Sequence, residues 1–169
     1  KDGEELKSML RLALRHQGPA AVRYPRGKAH RLAERDTSYD DLQKGKAEVL
    51  TDGDDIAILA VGSTVGPALK AAELLMKEGV TTCVVNARFI KPLDEDLILS
   101  LAEKTKRIVT VEENVLAGGF GSAVMECLNS AGATDVAVRR IGIADVFVEH
   151  GAQSVLRKKY GLDAEGIYQ

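Results

Sequence analysis

Ile56-Ala57-Ile58-Leu59-Ala60-Val61, followed by Gly62-Ser63-Thr64, decides the fold. An unbroken apolar run has no polar face to show to water, so it reads as a strand covered on both sides, as in a parallel sheet. Gly62 and Ser63 turn the chain. Val65, Ala68, Leu69, Ala72, Leu75 and Met76 then recur at helical spacing over residues 64–78. Gly79 stands where a helix ends on a left-handed residue.

The same alternation continues downstream. Residues 80–86 read as a strand, and Asp94 as the N-cap of a helix carrying Leu97, Ile98, Leu101 and Ala102. Residues 107–112 are a strand. Gly118-Gly119-Phe120-Gly121 opens a helix with Phe120, Ala123, Val124, Cys127 and Leu128 inward. Residues 136–141 are a strand, and residues 153–160 a short closing helix. Upstream, Thr51-Asp52-Gly53-Asp54 lies between residues 47–50 and 55–61 and carries an Asp-Gly hairpin signal, which places one antiparallel strand at a sheet edge. Strands alternating with helices specify an α/β, three-layer sandwich: a mostly parallel sheet of about five strands with one antiparallel edge strand.

The start of the chain has a different character. Asp2 and Glu5 have the spacing of a capping box, and Leu6, Met9, Leu10, Ala13 and Leu14 form an apolar face behind it. Gly18-Pro19 ends that helix, and residues 20–24 read as a short strand. One helix and one strand cannot close a core, so residues 1–27 are expected to belong to a unit lying upstream, in a longer polypeptide. Residues 28–45 are rich in charge without periodicity, including the mixed-sign run from His30 to Asp36, and read as an exposed linker. Residues 46–169 form the regular unit.

Composition narrows the function. The chain has 169 residues, 45% hydrophobic and 28% charged, with a formal net charge of -2. Aromatics are 4% and Trp is absent, which argues against a nucleic-acid partner. No apolar run approaches the roughly 18 residues of a membrane span, so no membrane partner is expected. Cys83 and Cys127 stand far apart in apolar surroundings and read as reduced packing residues. The expectation is a cytoplasmic protein.

Ligands of open α/β sheets sit beyond the carboxyl ends of strands, so four loops are weighed. Gly62-Ser63-Thr64 can hold an anion, although Ser63 serves equally as an N-cap and that reading is preferred. Asn86 to Asp94 carries Arg88 and Lys91, suited either to a phosphate or to a carboxylate of another domain. Gly118-Gly119-Phe120-Gly121-Ser122 fits no nucleotide fingerprint, and close packing or a subunit contact is the better reading. Asp145, Glu149, His150 and Gly151 lack the further ligand a metal needs, so His150 is expected to make structural hydrogen bonds near an interface. His16 and His30 receive no role. Arg23-Tyr24-Pro25-Arg26-Gly27, between the two units, places Arg26 to meet an anionic substrate and Arg23 to hold the segment in place.

Several of these stretches also resemble a known family. Gly18-Pro19, Arg23 to Gly27, Ala87-Arg88-Phe89-Ile90-Lys91-Pro92-Leu93-Asp94, Thr110-Val111-Glu112-Glu113-Asn114, Gly118 to Ala123, Gly142-Ile143-Ala144-Asp145 and His150-Gly151 resemble the 1-deoxy-D-xylulose-5-phosphate synthase family, in its order. Ala144 departs from the family's usual proline. The resemblance implies that residues 1–27 end a pyrimidine-binding domain and that residues 46–169 are a transketolase-like C-terminal domain. It implies a homodimeric enzyme using thiamine diphosphate and Mg2+ to condense pyruvate with D-glyceraldehyde 3-phosphate with loss of CO2, for isoprenoid, thiamine and pyridoxal synthesis. The family's cofactor-binding motif and activating glutamate belong to regions upstream of this chain, so the piece alone is expected to be inactive and to bind neither cofactor nor metal. Arg26 matches the arginine that contacts the aldehyde's phosphate; Tyr24, Arg88 and Lys91 are further substrate-binding candidates. The alternatives are the corresponding region of a transketolase or of a 2-oxo acid dehydrogenase β subunit, and a stand-alone α/β interaction domain.

Overall fold

A computed structural model describes residues 1–29, 32 and 42–169. Most of the expected linker, including His30 and much of the charge run, lies outside the described residues.

The apolar run becomes β2, Ile56–Ala60, at the centre of a five-stranded sheet ordered β1-β3-β2-β4-β5. Here β1 is Glu48–Val49, β3 Thr82–Asn86, β4 Arg107–Val115 and β5 Ala137–Ile143. β2 pairs in parallel with β3 on one side and β4 on the other, and β4 pairs in parallel with β5. Alternate residues of β2 feed two separate cores. Ile58 and Ala60 pack with Val65, Ala68, Ala71 and Ala72 of α2 (Val65–Lys77) and Ile167 of α6 (Ala164–Tyr168). Ala57 and Leu59 pack with Ile98 and Leu101 of α3 (Glu95–Thr105) and Phe120, Val124 and Leu128 of α4 (Phe120–Ser130). The three-layer α/β sandwich read from the sequence is therefore present, with its single antiparallel strand at an edge.

The strand that β1 pairs with is the first correction. The Asp-Gly turn does not fold β1 back onto β2; β1 lies antiparallel to β3, with Glu48 opposite Asn86 and Val49 opposite Val85. Residues 50–55 instead cross over the start of β3. Leu50 N–H donates to Val84 O, Thr51 Oγ1 donates to Thr82 O and accepts from Val84 N, and Asp54 N–H donates to Thr81 Oγ1. Thr81 returns two bonds to the Asp55 carboxylate, which hold that group below the usual carboxylate range. Gly53 is the tight point, because a Cβ there would lie 2.3 Å from Thr82 N.

Two further expectations change at the N-terminus. Residues 20–24 have no regular secondary structure and pair with no strand among the described residues. The helix α1, Gly3–Arg15, begins as expected, with the Asp2 carboxylate accepting from Glu5 N–H at 2.9 Å. It is anchored by its polar edge rather than its apolar face: Glu5 and Ser8 are buried, whereas Leu14 is 87% exposed and Leu10 is exposed as well. The cause is Glu5, whose side chain leaves the cap and joins a buried ion cluster on the sheet domain, described below. At the other end, α5 (Gln153–Lys159) is followed by α6, too short to show a period. Asp163 caps α6 by accepting from Gly166 N–H at 2.9 Å.

The crossing turn yields a stability prediction. Gly53→Ala in the 169-residue chain should lower unfolding stability by about 2–4 kcal/mol, because backbone must move to admit the methyl group. Urea unfolding measures it, and a loss under about 0.5 kcal/mol, ordinary for an exposed turn, would refute the clamp over β3.

Candidate functional site

The carboxyl ends of β2, β3 and β4 converge at one end of the sheet. α2 and α4 leave β2 and β4 toward opposite faces, so the crevice between these neighbouring strands is a topological switch point. A cleft of about 70 Å³ lies there, lined by Arg23, Val61, Ile90, Glu112, Asn114, Gly118, Gly119 and Phe120. Of the Arg23–Gly27 stretch, Arg23 thus reaches the end of the sheet.

The β4 side of the crevice is built by a break in the ladder. The β4–β5 register shifts between Val111 and Val115, and Glu112, Glu113 and Asn114 fall inside the break. Glu112 is 1% exposed and accepts from Phe120 N–H at 2.7 Å and Gly121 N–H at 2.8 Å. Its carboxylate occupies the N-terminus of α4, where the helix dipole and free N–H groups favour negative charge. The glycines make room for it: a Cβ on Gly119 would sit 2.4 Å from Glu112 Oε2, and one on Gly121 would sit 2.5 Å from Thr110 Oγ1. The packing reading of this loop is the one the structure bears out. Ser122 and Arg140 close it further, both donating to Leu116 O.

Glu113 points the other way. It accepts from Ser63 Oγ at 2.6 Å and from Arg157 of α5, Nε to Oε1 at 2.7 Å and Nη2 to Oε2 at 3.2 Å. Burial alone would raise its pKa, but Arg157, Ser63 and the more distant charge of Arg23 together hold it below the usual range. Ser63 is therefore not an N-cap. Thr64 fills the local capping role, with its hydroxyl bonded to Val61 N and Val61 O.

On the β3 side, Arg88 has a left-handed backbone (φ 56) and its guanidinium is spent on carboxylates. Nε donates to Glu5 Oε1 at 2.8 Å and Nη2 pairs with Glu48 Oε2 at 3.0 Å. Asn86 Nδ2 donates to the same two acids, and Lys1 Nζ pairs with Glu48. Burial opposes ionisation of Glu5, while the Arg88 guanidinium and the Lys1 side chain favour its charged form. Of the two readings of Arg88, the structure displays the carboxylate of a neighbouring element. Asp94 heads α3, but its carboxylate goes to Lys46 Nζ and Ala47 N–H.

The remaining candidates are on the surface. Tyr24 is 64% exposed, and Arg26 and Lys91 are exposed. Among the described residues, no hydrogen bond or ion pair joins Tyr24, Arg26, Arg88 and Lys91 to one another. Arg26 is held by its main chain, its carbonyl accepting from Gln153 Nε2 at 2.6 Å. His150 is exposed and makes no hydrogen bond to another described residue; the neighbouring Glu149 bonds Lys159 and Tyr160, which lower its pKa to about 2. Sequence reasoning missed Gln153, Arg157 and the outward role of Glu5. Gln153 and Arg157 stand at (i, i+4), one face of a helix, which was the available signal.

Burial pushes the Cys83 and Cys127 thiols up, away from reactive thiolate. Among the described residues no group of three or more His, Cys, Asp or Glu could hold a metal ion. The N-terminus of α4, opened by the glycine-rich loop, is filled by Glu112. That helix start therefore has its Phe120 and Gly121 N–H groups already engaged by the protein's own carboxylate.

The family described as Transketolase, C-terminal domain, matches residues 45–167. The chain belongs to that family. The match starts one residue before the regular unit read from the sequence. Beyond it, this transketolase C-terminal domain and its N-terminal arm are together similar to proteins named 1-deoxy-D-xylulose-5-phosphate synthase. The one from Desulforudis audaxviator is 53% identical over 99% of this chain and 26% of its own length. The one from Geobacter metallireducens is 54% identical over 99% of this chain and 27% of its length. The chain thus spans about a quarter of the curated relatives it matches. A solved structure described as a split-gene transketolase, in an inactive β4 tetramer, has a TM-score of 0.73 and 36% identity, covering 80% of this chain and 44% of that one. The resemblance drawn from the motifs is borne out.

The Glu113 cluster makes stability depend on pH. Its folded pKa is lowered, so its contribution is present above the ordinary carboxylate value of about 4.3 and is lost as pH falls through the folded value. Glu113→Gln should therefore cost most at neutral pH, and the gap from the parent should narrow as the pH falls below about 4.3. Urea midpoints from about pH 3 to about pH 7, spanning the reference carboxylate pKa, test this; a gap independent of pH would remove the ion pair as its source.

Proposed function

We propose that the chain is the C-terminal part of a 1-deoxy-D-xylulose-5-phosphate synthase, a thiamine-diphosphate-dependent transferase that condenses pyruvate with D-glyceraldehyde 3-phosphate with loss of CO2. The observation that carries this is 53% identity to a protein of that name across 99% of the chain, arm included. The 36% identity to the split-gene transketolase is lower and covers less, so the transketolase reading is second.

On this reading residues 1–27 end a pyrimidine-binding domain, residues 28–45 are a linker and residues 46–169 are the C-terminal domain. The exposed stripe of Leu10 and Leu14 on α1 supports a partner in the rest of the same polypeptide. Arg26 binds the aldehyde's phosphate: its guanidinium is a planar, permanently charged fork, and no carboxylate pairs with it among the described residues. Tyr24 and Lys91 line the approach. Arg88 acts on substrate indirectly, by holding α1 through Glu5. Thiamine diphosphate and Mg2+ are held by segments the relatives possess beyond this chain. The enzyme works as a homodimer in the cytoplasm; the exposed apolar run Val146, Phe147 and Val148 supports a protein contact. No helix among the described residues is long and apolar enough to cross a membrane.

Two outcomes follow. Arg26→Ala in the full-length protein should raise KM for D-glyceraldehyde 3-phosphate on the order of 10- to 100-fold, the effect of losing a charge-assisted bond. An unchanged KM takes Arg26 out of the site. The 169-residue chain, supplied with thiamine diphosphate, Mg2+ and both substrates, should give no product by a coupled assay, and turnover there would overturn the assignment of the chemistry to absent segments.

A further inference from the structure

Helix α5 buries none of its residues. It is located by polar contacts, of which the principal one is the two-pronged pair from Arg157 to Glu113 at the carboxyl end of β4. One turn earlier on the same face, Gln153 reaches the Arg23–Gly27 stretch. Its Nε2 donates to Arg26 O at 2.6 Å, and its Oε1 lies 3.5 Å from where a Cβ on Gly27 would stand. Gly27 has φ 157, at the margin of the glycine-favouring region, so the chain turns against the Gln153 amide. Arg23, at the other end of the stretch, lines the cleft with Glu112 and Asn114, which flank the Glu113 that anchors Arg157. The segment thus meets α5 at its Gly27 end and the carboxyl end of β4 at its Arg23 end.

We propose that Gln153 is a positioning residue for Arg26, acting through the Arg26 carbonyl, with Arg157 and Glu113 fixing the helix that carries it. The inference rests on the reading of Arg26 as the phosphate ligand. An exposed arginine has many rotamers, and a guanidinium meets a phosphate in a useful geometry only if the main chain beneath it is fixed. The Gln153 amide supplies that fixed point. Among the described residues no carboxylate pairs with the Arg26 side chain, and α5 itself carries no acid, so nothing there competes with an anion for the guanidinium.

The test uses the full-length enzyme with its cofactor. Gln153→Met keeps the length of the side chain and removes the donor. It should raise KM for D-glyceraldehyde 3-phosphate about threefold to tenfold, the range of one net hydrogen bond, and leave kcat and the KM for pyruvate unchanged. With unphosphorylated D-glyceraldehyde as acceptor, the variant and the parent should have equal kcat/KM, because no phosphate is there to be oriented. Arg157→Met should shift KM in the same direction. A rise in KM for pyruvate, or an equal loss with the unphosphorylated aldehyde, marks a general structural role and overturns the proposal. If Arg26→Ala raises KM while Gln153→Met does not, positioning through Gln153 is wrong and the role of Arg26 stands. If Arg26→Ala has no effect on KM, both fall together.

Discussion

A buried carboxylate governs the functional end of this domain. Glu112 is taken from water and given two backbone N–H donors at the start of α4, which satisfies both the acid and the helix end. Its neighbours are constrained accordingly. Gly119 leaves space for its Oε2, and a Cβ on Gly142 would lie 3.2 Å from its Cγ. Because Glu112 sits inside the break of the β4–β5 ladder, the next residue, Glu113, is turned toward α2 and α5. A helix N-terminus that elsewhere receives a phosphate here receives the protein's own charge, so the domain spends its best anion site on its architecture.

Around that fixed point the accessory pieces are attached by charge. α1 is joined through Glu5 to Arg88 and Asn86, and α5 through Arg157 to Glu113. These are different kinds of bond. The Glu5 cluster is nearly sealed, with Glu5 at 2% exposure, and removing one member would strand the others without compensation. The Arg157 pair is partly wet. The arm carrying Arg26 is therefore rigid at its root, on α1, and more lightly held at its tip, on α5.

The sheet and three of its packed helices were legible because burial on both faces leaves an unmistakable pattern in β2, and period 3.6 is clear in α2, α3 and α4. The pairing of β1 was not. An Asp-Gly turn looks the same whether the chain returns to the next strand or crosses a strand that arrives later, and only Thr82 and Val84 decide it. Glu5 was hidden by a plausible local role, since the third residue of a helix is where a capping glutamate belongs. Arg88 was read as two equal possibilities because its partner is more than eighty residues away. Ser63, Gln153 and Arg157 give no sign of their partners, as single polar residues have no periodicity. The motifs that matched a family were the surest guide to function, and they include residues, such as Gly119 and Gly121, whose part is steric.

The wetness of the α5 anchor has a consequence in ionic strength. Arg157 and Glu113 retain 22% and 28% side-chain exposure, so dissolved ions screen their attraction. The guanidinium of Arg26 lies in the same screening medium. On the proposed reading, salt weakens phosphate recognition twice, once at the contact itself and once at the helix that steadies it. The dependence of aldehyde affinity on salt is then steeper than a single arginine–phosphate pair would give, while pyruvate affinity does not share it.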